Sequence, residues 1–190
     1  MQLNFERSIK LKFMLIGDPQ VGKSAIFQRL TSSHDKPLEP SYQPTDMIAF
    51  ATKRVKISDK TYEFFYWDTE GHEKSLEITK SYLRHAQIVA CVFDLTNEES
   101  FKNVQRWIQI AKEITSEGTE YMLVGNKKDL QEERKVSHDE GVKQGELYGM
   151  KYFEVSGKDC SGIEEFGNEV RQKMIQGYEN KSFGNAEYFD

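Results

Sequence analysis

Short, largely apolar runs alternate along this chain with stretches whose apolar positions recur every three or four residues. Phe13-Met14-Leu15-Ile16, Ile88 to Phe93, Tyr121 to Val124 and Tyr152 to Val155 are of the first kind. They read as strands buried on both faces, as in a parallel sheet. Phe101, Val104, Trp107, Ile108, Ala111 and Ile114 recur at helical spacing and place one helix over Ser100 to Ile114. Gly162 to Tyr178 carries Ile163, Phe166, Val170 and Met174 in the same rhythm, and such stripes read as core. Ser137 with Glu140 forms a capping box that opens another helix. Met47 to Ile57 and Thr61 to Trp67 flank the turn Ser58-Asp59-Lys60, a link short enough to make an antiparallel hairpin. The alternation predicts an α/β fold, a six-stranded and mostly parallel sheet with one antiparallel edge strand and helices on both faces. No internal repeat or low-complexity segment interrupts it.

Ligands in open parallel sheets bind beyond the carboxyl ends of the strands, so the chemistry is expected in the loops that follow them. The first such loop, Gly17-Asp18-Pro19-Gln20-Val21-Gly22-Lys23-Ser24, satisfies G-x-x-x-x-G-K-[ST] directly after the run ending at Ile16. Ser24-Ala25-Ile26-Phe27 then starts a helix, whose N-terminal N–H groups favour anionic oxygen. Asp18, Pro19, Gln20, Val21, Gly22, Lys23, Ser24 and Ala25 are therefore the candidate phosphate cradle. Lys23 supplies charge for the β- and γ-phosphates, and the Ser24 hydroxyl is placed to ligate Mg²⁺.

Asp68-Thr69-Glu70-Gly71 follows the strand ending at Trp67. Asp68 can hold Mg²⁺ opposite Ser24, and Gly71 offers an N–H with no side chain in the way of a γ-phosphate. Asn126-Lys127-Lys128-Asp129 follows the strand Tyr121 to Gly125. A carboxylate at Asp129 accepts two adjacent donors, which guanine presents on its N1 and N2 edge and adenine does not. Asn126 is expected to brace this loop and the Lys127 stem to lie over the purine. Ser156-Gly157-Lys158 follows the last strand and is expected to give a backbone N–H to the base carbonyl. Tyr42-Gln43-Pro44-Thr45 lies in the long segment before the hairpin, where the Thr45 hydroxyl can complete the Mg²⁺ shell.

A chain of 190 residues suits one domain, with an N-terminal extension 1–8, a body 9–178 and a tail 179–190 expected to be disordered. The net charge of −5 argues against nucleic acid as a partner. Cys91 sits inside an apolar run and Cys160 in a polar loop, so no disulfide framework is expected and a cytoplasmic setting follows. No apolar stretch reaches the length of a membrane span, and the first eight residues lack a signal-peptide core.

Taken in order, G-x-x-x-x-G-K-S, P-T, W-D-T-x-G, N-K-x-D and S-x-K resemble the small GTPases of the Ras superfamily over Ser8 to Tyr178. Trp67-Asp68-Thr69-Glu70-Gly71-His72-Glu73, Val92-Phe93-Asp94-Leu95-Thr96 and Ser100-Phe101 resemble the Rab branch most. The resemblance implies a P-loop G domain that binds GTP and GDP with Mg²⁺, held by Ser24, Thr45 and Asp68. It implies GTP hydrolysis served by Lys23 and Gly71, with His72 at the water-orienting position, and a role in vesicle traffic; the departures at His72, Pro19 and Glu70 lead us to expect that hydrolysis to be slow. It also implies effector and exchange-factor proteins at two loops, 33–46 and 70–81, and a monomer. Four features depart from the family. His72 stands where glutamine usually orients the attacking water, Pro19 where a small residue leaves room for an activating partner's arginine, and Glu70 where alanine is common. The segment Thr31 to Pro40 is about three residues longer than usual and offers only His34 and Leu38 in place of an aromatic beside the base. A GTP-holding scaffold with negligible turnover and an ATP-dependent kinase are the alternatives, and Asn126-Lys127-Lys128-Asp129 counts against the kinase. The tail ends Glu-Tyr-Phe-Asp without cysteine, so no prenyl anchor is expected in this chain, and recruitment to membranes would fall to partners or to residues outside it.

Overall fold

A computed structural model describes residues 8–32, 48–71 and 76–183. The chain runs β1 (Ser8–Ile16), α1 (Lys23–Thr31), β2 (Ile48–Ile57), β3 (Lys60–Thr69), α2 (Leu76–Leu83) and β4 (Ile88–Asp94). It continues through α3 (Glu98–Lys102), α4 (Val104–Ile114), β5 (Glu120–Asn126), α5 (His138–Tyr148), β6 (Lys151–Glu154) and α6 (Ile163–Glu179). The sheet order is β2-β3-β1-β4-β5-β6, parallel throughout except where the hairpin sets β2 antiparallel to β3. This is the sheet that the apolar runs predict.

Side chains alternate across a strand, so β1 feeds two cores. Leu11, Phe13 and Leu15 pack with Ile26 and Leu30 of α1 and with Phe166, Val170 and Met174 of α6. Met14 and Ile16 face the other way, onto Val104, Trp107, Ile108 and Ala111 of α4. Every residue of β4 is buried, which is why that strand reads as a continuous apolar run. Cys91, in its middle, is a buried packing residue whose thiol burial pushes up.

Three sequence expectations change. The single helix over Ser100 to Ile114 is two helices, because the chain breaks at Asn103 between α3 and α4. The Ser100 hydroxyl accepts the Asp94 N–H at 3.0 Å and donates to the Asn97 carbonyl at 2.8 Å, tying α3 to the end of β4. Residues 76–81, read as loop, lie in α2, where Thr79 and Leu83 supply the buried face. The tail is folded as far as Phe183, whose ring packs against Gly177 with 6% of its surface exposed. Residues 184–190 lie outside the described residues.

Arg134 fixes the turn that leads from β5 into α5. Its guanidinium donates to both Glu154 carboxylate oxygens, at 2.9 and 2.7 Å, and Tyr152 and His138 reach the same group. Burial would raise the Glu154 carboxyl, but these hydrogen bonds outweigh it and hold the group at about 2. Removing one partner of such a pair strands the other, so Arg134→Met is expected to cost about 2 kcal/mol in urea unfolding at pH 7. A carboxyl held below its ordinary value stabilises the fold above that ordinary value, 4.5 here, and loses the contribution as pH falls toward about 2. The gap between wild type and variant should therefore close between those two pH values. An unchanged gap at pH 2 would contradict the assignment.

Candidate functional site

β1 ends under a loop that turns into α1 at Lys23, with Gly22 as the residue before the helix at φ 91° and ψ 28°. No side chain caps that helix start, so its N–H groups face the loop's concave side. Gly22 is held to glycine twice over: its φ lies in the left-handed region, and a Cβ there would collide with the Asn126 amide. Lys23 is 3% exposed and folds back across the loop, donating to the Gly17 carbonyl at 3.0 Å and the Asp18 carbonyl at 2.7 Å. Burial pushes its ammonium down to about 8, against the pull of Asp68 and Asp18.

β3 delivers Asp68, 1% exposed, to the same place, and the Thr69 hydroxyl pins that strand end to the Leu15 carbonyl at 2.9 Å. Gly71 follows at φ 83°, packed so closely that a Cβ would strike the Lys23 ammonium and the Gly17 carbonyl. A helix start, a buried ammonium, a hydroxyl at Ser24 and a carboxylate thus surround one cradle. This donor set fits a polyphosphate and the hard oxygen ligands of Mg²⁺. Among the described residues no three His, Cys, Asp or Glu side chains cluster as a metal cage. Mg²⁺ carried on phosphates needs only one or two carboxylates.

Asn126, at the end of β5, joins this cradle to the next loops. Its Nδ2 donates to the Val21 carbonyl at 2.8 Å and its Oδ1 accepts the Gly157 N–H at 3.1 Å. Asn126 thus ties the first and third of these loops to the end of β5. In Ser156-Gly157-Lys158, expected to give a backbone N–H to a base carbonyl, the Gly157 N–H is engaged with Asn126, and the Lys158 and Asp159 N–H groups both donate to the Ser156 hydroxyl at 3.1 Å. The third loop thus braces its neighbours. Ser156 Oγ also donates to Asp129 Oδ1 at 2.7 Å, which orients the carboxylate and leaves it lone pairs for two further donors. Asp129 is partly exposed, with 14% of its side chain open, and Lys158 Nζ stands 3.7 Å from its other oxygen.

Lys127 holds a left-handed backbone at φ 67°, which costs a non-glycine residue about 1 kcal/mol or more. Its ammonium pairs with Asp94 Oδ2 at 2.6 Å, so the β4 end fixes the direction of its stem. From α1, Arg29 donates to the Gly157 carbonyl at 2.9 Å and the Lys158 carbonyl at 3.0 Å. Asp94 and Arg29 escaped the sequence reading. Asp94 carried a signal, since it ends a buried strand beside two site loops, whereas Arg29 looked like any helix cation.

The structure brings together Asp18, Val21, Gly22, Lys23, Asp68, Gly71, Asn126, Asp129, Ser156, Gly157 and Lys158, on loops that follow four strands. Ser24 and Ala25 occupy the first turn of α1, and Pro19 and Gln20 the turn before it. Thr45, His72, His34 and Leu38 lie outside the described residues, as do the whole of 33–46 and residues 72–75 of the second switch segment.

Residues 12–176 match the family model described as Ras family. The chain belongs to the Ras family. It is 32% identical over 175 residues to Ras-related protein Rab-13 of Canis lupus familiaris, covering 92% of this chain and 85% of that protein. Against Ras-related protein RIC1 of Oryza sativa subsp. japonica the identity is 36% over 176 residues, covering 90% and 86%. Ras-related protein Rab-8B of Dictyostelium discoideum gives 32% over 169 residues, covering 87% and 82%. This Ras-family protein is Rab-like, and its family consists of GTP-binding switches with GTPase activity that engage effectors and exchange factors.

Proposed function

We propose that this Rab-like protein is a Mg²⁺-dependent guanine-nucleotide switch that hydrolyses GTP slowly and acts in membrane traffic. The observation that carries the reading is Asn126, whose amide ties the phosphate loop at Val21 to the base-facing loop at Gly157. Phosphate recognition and base recognition are thereby built as one unit. Asp129 would accept the N1 and N2 donors of guanine, with Lys127 alongside the ring and Lys158 near the carboxylate. Lys23, Ser24 and the α1 start would hold the phosphates, with Asp68 and Thr45 completing the metal shell.

Bound Mg²⁺ would neutralise charge on the β- and γ-phosphate oxygens. The protein's own work is positioning and charge: Lys23 adds a cation, Gly71 an N–H, and His72 a ring in place of the usual water-orienting amide. Glu70 lies close enough to Lys23 to affect its charge, bringing a second carboxylate toward the phosphates. That favours slow turnover, and with Pro19 and His72 it keeps the GTP-holding scaffold as a second reading. His72→Gln is expected to speed single-turnover hydrolysis several-fold, read as phosphate release. No gain would remove His72 from the explanation, and no release from either protein would favour the scaffold.

Partners are expected at residues 33–46 and 70–81 and on the surface between them. Phe50 of β2, 62% exposed, stacks on Trp67 of β3 at 5.2 Å, and Trp67 meets Tyr82 of α2 at 5.0 Å. Exposed aromatics packed side by side suit protein docking. A cytoplasmic protein brought to membranes by partners, or by residues outside this chain, fits this surface.

A further inference from the structure

Asp18 is the only acidic side chain in the loop Gly17 to Ser24, and a carboxylate there would repel the phosphates the loop is shaped to hold. Two donors from one helix take it up. Asn103 Nδ2 donates to Asp18 Oδ2 at 2.8 Å, and Trp107 Nε1 donates to Asp18 Oδ1 at 2.7 Å. Each carboxylate oxygen receives one N–H, at the short distances typical of charge-assisted bonds. Asn103 and Trp107 stand four residues apart and so share a helix face. Trp107 is a core residue, 6% exposed, with the apolar part of its ring among the residues of the second core.

Asn103 also gives up its ordinary task. It precedes α4 at the N-cap position, where asparagine commonly bonds the first-turn N–H groups of its own helix. Here it makes no side-chain cap. Its amide crosses to Asp18 instead, at the break that separates α3 from α4. The Lys23 ammonium meanwhile donates to the Asp18 carbonyl oxygen, and the carboxylate of Asp18 stays on α4. The same helical segment reaches the base side of the site through α3. Ser100 accepts the Asp94 N–H, and Asp94 holds Lys127.

We propose that Asn103 and Trp107 are positioning residues for the phosphate loop. They hold the Asp18 carboxylate against α4 and so away from the phosphates. The proposal rests on the guanine-nucleotide reading above and adds a control point for nucleotide release, outside the loops that touch nucleotide. Anything that shifts α4, an exchange-promoting protein included, would free the carboxylate and weaken the hold on the phosphates.

The test is the dissociation rate of a fluorescent GDP analogue from the whole chain in Mg²⁺, with melting temperature measured in parallel. Trp107→Phe keeps most of the ring and deletes its N–H; it is expected to raise the rate about tenfold. Asn103→Ala, which removes little volume, is expected to raise it several-fold and decides the matter if Trp107→Phe does not fold. In an Asp18→Ala background neither substitution should raise the rate further, and that background should hold the analogue longer than Asn103→Ala does. Packing alone would lower the melting temperature and change the rate by the same factor in both backgrounds, which overturns the proposal. Unmoved rates in folded variants overturn it as well, while the guanine reading stands. Failure of wild type to hold the analogue overturns both.

Discussion

Asp129→Asn is expected to lower affinity for GDP and GTP by about a hundredfold or more, and to raise affinity for xanthosine diphosphate. Guanine offers two N–H donors to the carboxylate, and an amide meets one of them with a donor of its own. The resulting clash leaves buried polar groups unpaired, the situation in which hydrogen-bonding sites discriminate most strongly. Xanthine carries a carbonyl at C2, which the new amide can donate to. The substitution is nearly isosteric, and the Ser156 hydroxyl that bonds Asp129 Oδ1 at 2.7 Å can serve an amide oxygen equally well. Folding should therefore survive. Titration of the variant with fluorescent guanosine and xanthosine diphosphates reads the exchange directly, and unchanged preference would remove Asp129 from base recognition.

Lys23→Met should separate stability from function. Lys23 is 3% exposed, and burial depresses its pKa to about 8, the mark of a charge that the fold holds at a cost. Methionine fills similar volume without that charge. Without nucleotide, the variant should melt no lower than wild type. Its affinity for GDP should nevertheless fall by about 10–10², the worth of one hydrogen bond to a charged group. Added GDP should raise the melting temperature of wild type and leave the variant unmoved, because stabilisation by a ligand follows its occupancy. A variant that melts well below wild type without nucleotide would show that Lys23 chiefly supports the loop through Gly17 and Asp18.

Local patterns made the sheet legible. β4 and β5 announce themselves as buried runs, the hairpin by its short turn, and α5 by its capping box, in which Ser137 and Glu140 bond each other's backbone. Most of the loop residues were legible too, because strand ends dictate where chemistry sits and four of the five motifs follow one. What escaped was tertiary. No spacing in the sequence pairs Asp94 with Lys127, or sends the Asn103 amide to Asp18 instead of its own helix. Such bonds span 33 and 85 positions by residue number and depend on how strands and helices pack. The break at Asn103 was hidden because apolar spacing runs through it from Phe101 to Trp107. Helix α2 was hidden because its buried face is short, Thr79 and Leu83.

The central claim is that these loops select guanine on a polyphosphate. Competition for a fluorescent GDP analogue bound to wild-type protein in Mg²⁺ tests it most directly. Unlabelled GDP and GTP should displace the analogue at matching concentrations, while ATP at about a thousandfold excess should leave it in place. Displacement by ATP at the same concentrations as GTP, or no retention of the analogue at all, would contradict the account.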